Sequence, residues 1–441
     1  MAERKVNVGL VGLGTVGTGV AKLILEQGDA IAAKTGIRIV LACVVDTDLK
    51  KKRPVSLPPG ILTRDLDTLL KNPDIHIGVE LIGGTRAARD VTLALLEAGK
   101  DVVNANKALL ASHGKELFDA AKARGRCIAF EGSCAGGIPI ISALRTGLAA
   151  NEIRALFGIV NGTCNFILSS MTAKGLAFKD ALALAQQKGY AEADPTLDIG
   201  GGDSAHKLTI LGSIAFGHEF KLSDVHVEGI EGISHDDIRY GGEMGYTLKL
   251  LAIGQKSAGG KVCLRVHPSF IIRDCALARV DGPFNAISIF GSAVGHVMFY
   301  GRGAGMMPTA SAVVADIIEV ALGNSERTFK HLRIAPRSEA EDRIEKIQDL
   351  TSRFYIRVMV KDEPGVFATL STILGNHRIS ISGALQHEST GPDDSVPIVI
   401  VTHETGERNM AEALKEFSRL AVVSGKPVCI RIVDIPEDKD T

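Results

Sequence analysis

Residues 6–24 constrain this chain more than any other stretch. Val6 to Val11 is an unbroken apolar run, Gly12-Leu13-Gly14-Thr15-Val16-Gly17 fits G-x-G-x-x-G, and Val16, Val20, Leu23 and Ile24 then recur at helical spacing. Strand, tight glycine turn and amphipathic helix, in that order, are the context in which the motif cradles a pyrophosphate. The glycines permit close backbone approach, and the helix N-terminus offers unpaired N–H groups and the positive end of its dipole. A merely structural strand-to-helix turn is the bland alternative. A second buried run, Ile37–Val45, ends at Asp46, where a carboxylate would accept hydrogen bonds from an adenosine ribose. It lies further from the glycines than the usual ~20 residues because the intervening helix is long. Lys50, Lys51, Lys52 and Arg53 follow; they read as a solvated loop, with contacts to a ribose phosphate as the alternative, so NAD versus NADP stays open.

Strand-like runs at 78–82, 101–103 and 127–130 alternate with helical patterns at 90–98 and 113–123. This predicts an α/β fold with a doubly wound, Rossmann-type parallel sheet over residues 1–135. From residue 136 the rhythm changes to longer helices (178–188, 203–216) and later strands (262–266, 297–300), a mixed α+β domain to residue 305. An apolar helix near 306–322 is expected to return to the first domain, and the charged, aperiodic 323–352 reads as a linker. Residues 353–436 follow a β-α-β-β-α-β order, a ferredoxin-like unit. Three units agree with 441 residues at roughly 150 per domain.

Lysine and arginine total 50 against 51 acids, a formal charge of -1, so no global field draws the molecule to nucleic acid. No apolar run reaches the roughly 18 residues of a membrane helix, and the start lacks a signal-peptide pattern, so a cytoplasmic location is expected. The seven cysteines (43, 127, 134, 164, 263, 275 and 429) include no C-x-x-C pair, which argues against a disulfide framework or zinc knuckle.

Two further segments carry chemistry. Between Gly189 and Lys207 the carboxylates Glu192, Asp194, Asp198 and Asp203 fall close together, Pro195 and Gly200-Gly201-Gly202 shape the loop, and Asp203 and Lys207 stand at i and i+4. On a helix these two share a face; an acidic surface loop with one ion pair fits the spacing equally well. Lys107, in Asn104-Ala105-Asn106-Lys107, follows a strand end where α/β sheets place their ligand crevice. A surface lysine is the default; in a partly desolvated site its pKa is expected to fall toward the range useful for proton transfer.

Taken together with the glycine loop, the glycine-rich stretch from Tyr300 to Gly305 and the C-terminal unit, these segments resemble homoserine dehydrogenases with an appended ACT domain, over essentially the whole chain. The resemblance implies reversible hydride transfer between L-homoserine and L-aspartate 4-semialdehyde with NAD or NADP, in threonine and methionine biosynthesis, by a homodimer or homotetramer. It implies Lys207 as acid/base, Asp203 as its orienting partner, Lys107 between nicotinamide and substrate, and Glu192, Asp198 and Tyr190 around the substrate. Thr85, Asn104, Gly303 and Gly305 join the glycine loop and Asp46 at the cofactor, with a plain tight turn as the alternative for the last two. The family's monovalent cation, usually sodium, would sit on the carbonyls of Cys134, Gly136 and Ile138; oxygen ligands suit a hard cation.

Asp362-Glu363-Pro364-Gly365-Val366 resembles the turn of an ACT domain, where threonine or a related product is expected to bind near Gly365 at a domain–domain interface and lower activity. The alternative is a domain that only dimerises through its sheet edge. Two rival readings stand beside the first: a semialdehyde dehydrogenase with Cys134 or Cys164 as nucleophile, and a non-enzymatic amino-acid sensor.

Overall fold

Strands buried on both faces need unbroken apolar runs, and the first third supplies them. The computed structural model describes residues 3–331, 343–386 and 395–436. In it β1 (Arg4–Val11), β2 (Ile37–Val45), β3 (Leu62–Thr63), β4 (Ile75–Glu80), β5 (Asp101–Asn104) and β6 (Ile128–Ala129) form one sheet ordered β3-β2-β1-β4-β5-β6, with every neighbouring pair parallel. The order reverses between β1 and β4, so a crevice opens beyond their carboxyl ends. The helices here are α1 (Thr15–Thr35), α2 (Asp67–Leu70), α3 (Arg86–Glu97) and α4 (Lys107–Ala123). Both α3 and α4 start earlier than apolar periodicity suggests: α3 opens on Arg86-Ala87-Ala88-Arg89, with no long apolar side chain, and in α4 the buried Leu109 and Leu110 are followed by Ala111-Ser112-His113-Gly114, which interrupts the stripe before Leu117. Asn106 sets the start of α4: its side chain accepts from Leu109 N at 3.1 Å, a cap for an orphan amide. Lys107 is thereby the first residue of a helix.

Seven helices and six strands follow before the returning helix is complete: α5 (Ile140–Ser142), β7 (Ile153–Ile159), α6 (Gly162–Lys174), α7 (Phe178–Gln187), α8 (Thr196–Ile199), α9 (Gly202–Phe216), β8 (Val225–Val227), α10 (His235–Glu243), β9 (Tyr246–Lys256), β10 (Val262–Ile272), β11 (Phe284–Gly291), β12 (Gly295–Arg302) and α11 (Met306–Ala321). Helix α11 does pack back on α1. The approach is close enough that a methyl group on Gly19 would lie 2.8 Å from Met306 O.

The stretch expected as a linker carries structure. Helix α12 (Asn324–His331) buries Phe329 against Phe118, ring centroids 5.8 Å apart, and Glu345 N donates to Val262 O at 2.9 Å. Its middle, 332–342, lies outside the described residues. A single buried aromatic in a charged sequence is a weak signal, which is why periodicity missed it.

The C-terminal unit comprises β13 (Thr351–Lys361), α13 (Val366–Asn376), β14 (Ile381–Gln386), β15 (Ser395–Thr402), β16 (Thr405–Gly406), α14 (Glu407–Phe417) and β17 (Val423–Ile432). Its strands run antiparallel in the order β17-β13-β15-β14. Alternation along β13 sends Phe354, Ile356, Val358 and Val360 into a core with Leu370, Leu374, Met410 and Phe417. The opposite face is not free. Arg357 Nε donates to the buried Asp237 of α10 at 2.6 Å, and Tyr355 Oη reaches the same carboxylate at 3.2 Å. Strand β17 also pairs in parallel with β10, Ser269 with Arg431 and Phe270 with Ile432, so this unit extends the sheet β12-β11-β7-β9-β10 of the middle region. Among the described residues, no single helix is long and apolar enough to cross a membrane.

Candidate active site

The three glycines of the loop do different work. Gly12 has φ +96°, and a methyl there would lie 2.7 Å from Leu81 O. One on Gly17 would lie 2.0 Å from Gly12 O, whereas one on Gly14 would meet nothing within 4 Å. Gly12 and Gly17 therefore hold the turn against its neighbours, and Gly14 leaves open space in front of the α1 N-terminus. No side chain caps that end, so its N–H groups and dipole face the opening, as a pyrophosphate requires. The rest of the loop, Leu13, Thr15 and Val16, carries the chain around it. Asp46 accepts from Leu13 N at 2.6 Å and Asp48 N at 2.8 Å and pairs with Arg53 at 3.0 Å. Burial raises its pKa, but these N–H groups and the guanidinium outweigh burial and hold the carboxyl below its ordinary value. Lys50, Lys51 and Lys52 are exposed as expected, while Arg53 folds back, with Nε on Leu13 O at 2.9 Å.

Beyond β4 and β5 the two crevice loops are tied together from below. Glu80, fully buried, accepts from Ile82 N at 2.6 Å and from Asn104 Nδ2 at 2.7 Å. Asn104 Oδ1 accepts from Asn106 N at 2.7 Å, and Asn106 Nδ2 donates to Gly84 O at 2.6 Å. Asn104 is thus buried under the crevice, engaged with Glu80. Thr85 begins α3 at the rim, with no side-chain capping bond. Burial pushes the Glu80 carboxyl up to about 7, against the pull of the Ile82 N–H and the Asn104 amide.

The charged cluster forms where the two lobes meet. Asp203, in the first turn of α9, receives Lys207 Nζ on Oδ2 at 2.7 Å and Lys107 Nζ on Oδ1 at 2.8 Å. Lys207 is buried and also donates to Val160 O at 2.6 Å; the Lys107 side chain is 36% exposed. Burial raises the Asp203 pKa, but the two ammoniums overwhelm it and hold the carboxyl far below its usual range. The expected fall in the Lys107 pKa is overturned: burial does lower it, yet contact with Asp203 more than compensates and leaves it raised. Asn161, which caps α6, donates to Asp198 Oδ1 at 2.7 Å and to Asp203 Oδ2 at 2.8 Å. Asp198 is half-buried in this network. Tyr190 packs on Phe166 at 4.9 Å between ring centroids, and Glu192 is exposed on its loop. Sequence reasoning missed Asn161 and Glu80. An Asn directly between an apolar strand and a helix is a capping signal that pointed to the first; a lone acid ending a strand pointed to nothing.

Gly303 and Gly305 shape the return to α11. A methyl on Gly303 would strike the Asn285 side chain at 2.0 Å, and Gly305 has φ +128°. The Gly303 carbonyl in turn crowds Gly136, where a methyl would lie 2.6 Å away. At the cation positions the chain curls through two left-handed residues, Ala135 at φ 53° and Gly136 at φ 51°, between Cys134 and Ile138. Such a conformation costs an alanine ~1–2 kcal/mol. The Ile138 carbonyl accepts from Ile140 N at 2.8 Å. Gly365 sits at φ 90° at the start of α13 with nothing within 4 Å of its methyl position. It follows the end of β13 opposite to Arg353, whose partner on β17, Ile432, also pairs with Phe270 of β10.

Neither candidate cysteine suits a nucleophile. Cys134 and Cys164 are fully buried. Burial pushes the first thiol up to about 12, despite the lysines nearby, and the second well above its usual value. The thiolate is the reactive form, and Cys164 Sγ instead donates to Asp198 O at 3.2 Å.

Comparison with known proteins agrees with this architecture. A family model described as homoserine dehydrogenase matches residues 139–318, its NAD binding domain matches 12–131, and an ACT domain matches 354–422. The homoserine dehydrogenase of Pseudomonas aeruginosa is 43% identical over 432 residues, covering 97% of this chain and 99% of its own. The crystal structure of a homoserine dehydrogenase from Thiobacillus denitrificans superposes with a TM-score of 0.87 at 41% identity, covering 98% of this chain and 99% of that one. A hyperthermophilic archaeal homoserine dehydrogenase in complex with NADPH gives 0.59 at 27% identity, over 72% of this chain and 98% of its own. With likeness running through almost its full length, the chain belongs to the homoserine dehydrogenase family, NAD(P)-dependent oxidoreductases that here carry a C-terminal ACT domain.

Proposed function

We propose that the protein interconverts L-homoserine and L-aspartate 4-semialdehyde at the Lys107–Asp203–Lys207 cluster, in the biosynthesis of threonine and methionine in the cytoplasm. The observation that carries this reading is the buried Asp203 carboxylate, which holds one lysine from each lobe on its two oxygens. A bound nicotinamide dinucleotide supplies the hydride acceptor or donor. Gly12, Gly14 and Gly17 with the α1 N-terminus would hold its pyrophosphate, Asp46 its adenosine ribose, and Thr85, Gly303 and Gly305 the crevice around it. In the reductive direction the Lys207 ammonium gives a proton to the aldehyde oxygen; in the oxidative direction the neutral amine takes it from the hydroxyl. Asp203 fixes where that nitrogen points, which is the positional part of general acid/base catalysis. Lys107, cationic through its contact with Asp203, lies between cofactor and substrate and favours negative charge on the reacting oxygen. Asp198, Glu192 and Tyr190 line the substrate, the carboxylates pairing with its ammonium.

The same reading places a sodium ion on the carbonyls of Cys134, Gly136 and Ile138, a threonine effector at Gly365, and a homodimer or homotetramer as the working state. The effector site at Gly365 would be completed at a domain–domain interface. The deciding measurement is a homoserine-dependent rise in reduced-nicotinamide absorbance, run in parallel with NAD and NADP and with threonine titrated in. No rise with either cofactor refutes the activity, and flat rates up to millimolar threonine remove the effector.

A further inference from the structure

We infer that Arg431, in the ACT unit, is a positioning residue for the substrate turn of the catalytic domain, acting through the segment 227–230. Its guanidinium is clamped from two sides. Nε and Nη2 donate to the Glu407 carboxylate at 2.7 and 2.9 Å, within the ACT unit, and Nη1 donates to both oxygens of Glu228 at 2.9 and 3.0 Å, in the catalytic region. His226 Nε2 closes on Glu228 Oε1 at 2.7 Å. Burial raises the Glu228 pKa, but His226 and Arg431 outweigh it and keep the carboxyl well below its ordinary value, so the pair stays charged. Paired geometry of this kind is rigid as well as favourable.

What Arg431 holds is wedged against the site. Glu228 N donates to Val266 O at 2.8 Å, which fixes the segment along β10. Ile230, fully buried, donates its N–H to Ile199 O at 2.8 Å. Gly229 is so close to the turn that a methyl on it would lie 2.4 Å from Ile199 O and 2.7 Å from Gly200 Cα, and one on Gly201 would lie 3.2 Å from Glu228 O. Ile199 follows Asp198, and Gly201 precedes the helix whose first turn carries Asp203. Asn161 ties those two carboxylates together. An unbroken set of contacts therefore runs from Arg431 through Glu228, Gly229 and Ile230 to the turn that sets the spacing of Asp198 and Asp203. The ACT unit braces the substrate side of the crevice even with no effector bound, while the cofactor side, on the other sheet, is untouched by this path.

The inference rests on the reading of Asp198 as a substrate residue, and the test separates the two. Full-length Arg431→Met, Arg431→Lys, Gly229→Ala and Asp198→Asn are assayed for kcat, for KM of homoserine and of cofactor, and for thermal melting. Arg431→Met is expected to raise the homoserine KM about tenfold, within the usual range of coupling between sites, with cofactor KM unchanged. Arg431→Lys restores part of the loss, and Gly229→Ala, which leaves the ion pair intact, gives the same KM signature. A folded Arg431→Met with unchanged homoserine KM, beside an Asp198→Asn that raises it, overturns the brace alone. An Asp198→Asn with unchanged KM overturns the substrate reading and the brace with it. Should Arg431→Met fail to fold, Gly229→Ala and Arg431→Lys decide the matter on the same criterion, a homoserine KM that moves while the cofactor KM does not.

Discussion

The glycine loop at 12–17 and the cluster around Asp203 belong to different lobes and are made of different materials. The loop recognises by backbone: a positive φ at Gly12, a contact at Gly17 that admits no side chain, and open space at Gly14 before a helix end. The cluster recognises by side-chain charge, with Lys107, Lys207 and Asn161 converging on one buried carboxylate. A backbone site fits any molecule with a pyrophosphate, so it says which cofactor class binds and nothing about the reaction. A charge cluster is specific to the reacting group but exists only once the two lobes meet, since Lys107 starts α4 and Asp203 lies in the first turn of α9. The lysines differ in the same sense: Lys207 is buried and held at two acceptors, whereas Lys107 is part-exposed and held at one.

That division predicts separable losses. Lys207→Ala removes the group that moves the proton and is expected to lower kcat by about 10²-fold or more, the range general acid/base groups supply, with cofactor KM little changed. Parallel steady-state titrations of homoserine and cofactor make the comparison. A variant with the parent's kcat would strip Lys207 of its role. Gly17→Ala strikes the other lobe. Its methyl must displace the Gly12 carbonyl 2.0 Å away, a shift of the kind that costs ~1–3 kcal/mol. Cofactor KM should rise about tenfold while homoserine KM, at saturating cofactor, stays near the parent value. If homoserine KM moved as much, the lobes would be mechanically continuous and the contrast between them would dissolve.

The same contrast explains what could be read from the amino-acid order. The glycine loop and the parallel sheet were legible because their rules are local: turn geometry between an apolar run and a helical stripe. Asp203 and Lys207 were legible as a pair through their i, i+4 spacing, but nothing local says that Lys107 takes the second oxygen. The start of α4 at Lys107 was missed because Ala111-Ser112-His113-Gly114 interrupts the apolar stripe between Leu110 and Leu117, although Asn106 is a competent cap. The union of the ACT sheet with the catalytic sheet rests on two residue pairs between β10 and β17, far apart in the chain. An edge strand does not announce its partner.

Glu80 stands between the two modes, a side chain whose task is to hold backbone, and its effect falls on stability rather than on rate. Its carboxyl joins the Ile82 and Asn104 loops from below the crevice, and burial raises its pKa from 4.5 to about 7. Between those values the unfolded chain has released the proton and the folded chain keeps it. Stability therefore falls as pH climbs through this window, by about 3 kcal/mol in all, and is flat above it. Glutamine keeps the size and cannot ionise. Its Nε2 meets one of the two donors, which costs a hydrogen bond at every pH and lowers the whole curve without tilting it. Melting temperature measured from pH 5 to pH 8 should thus slope less in Glu80→Gln than in the parent, by a few degrees across the range. Equal slopes would mean that Glu80 ionises as readily folded as unfolded, and that the joint beneath the cofactor loops carries a charge after all.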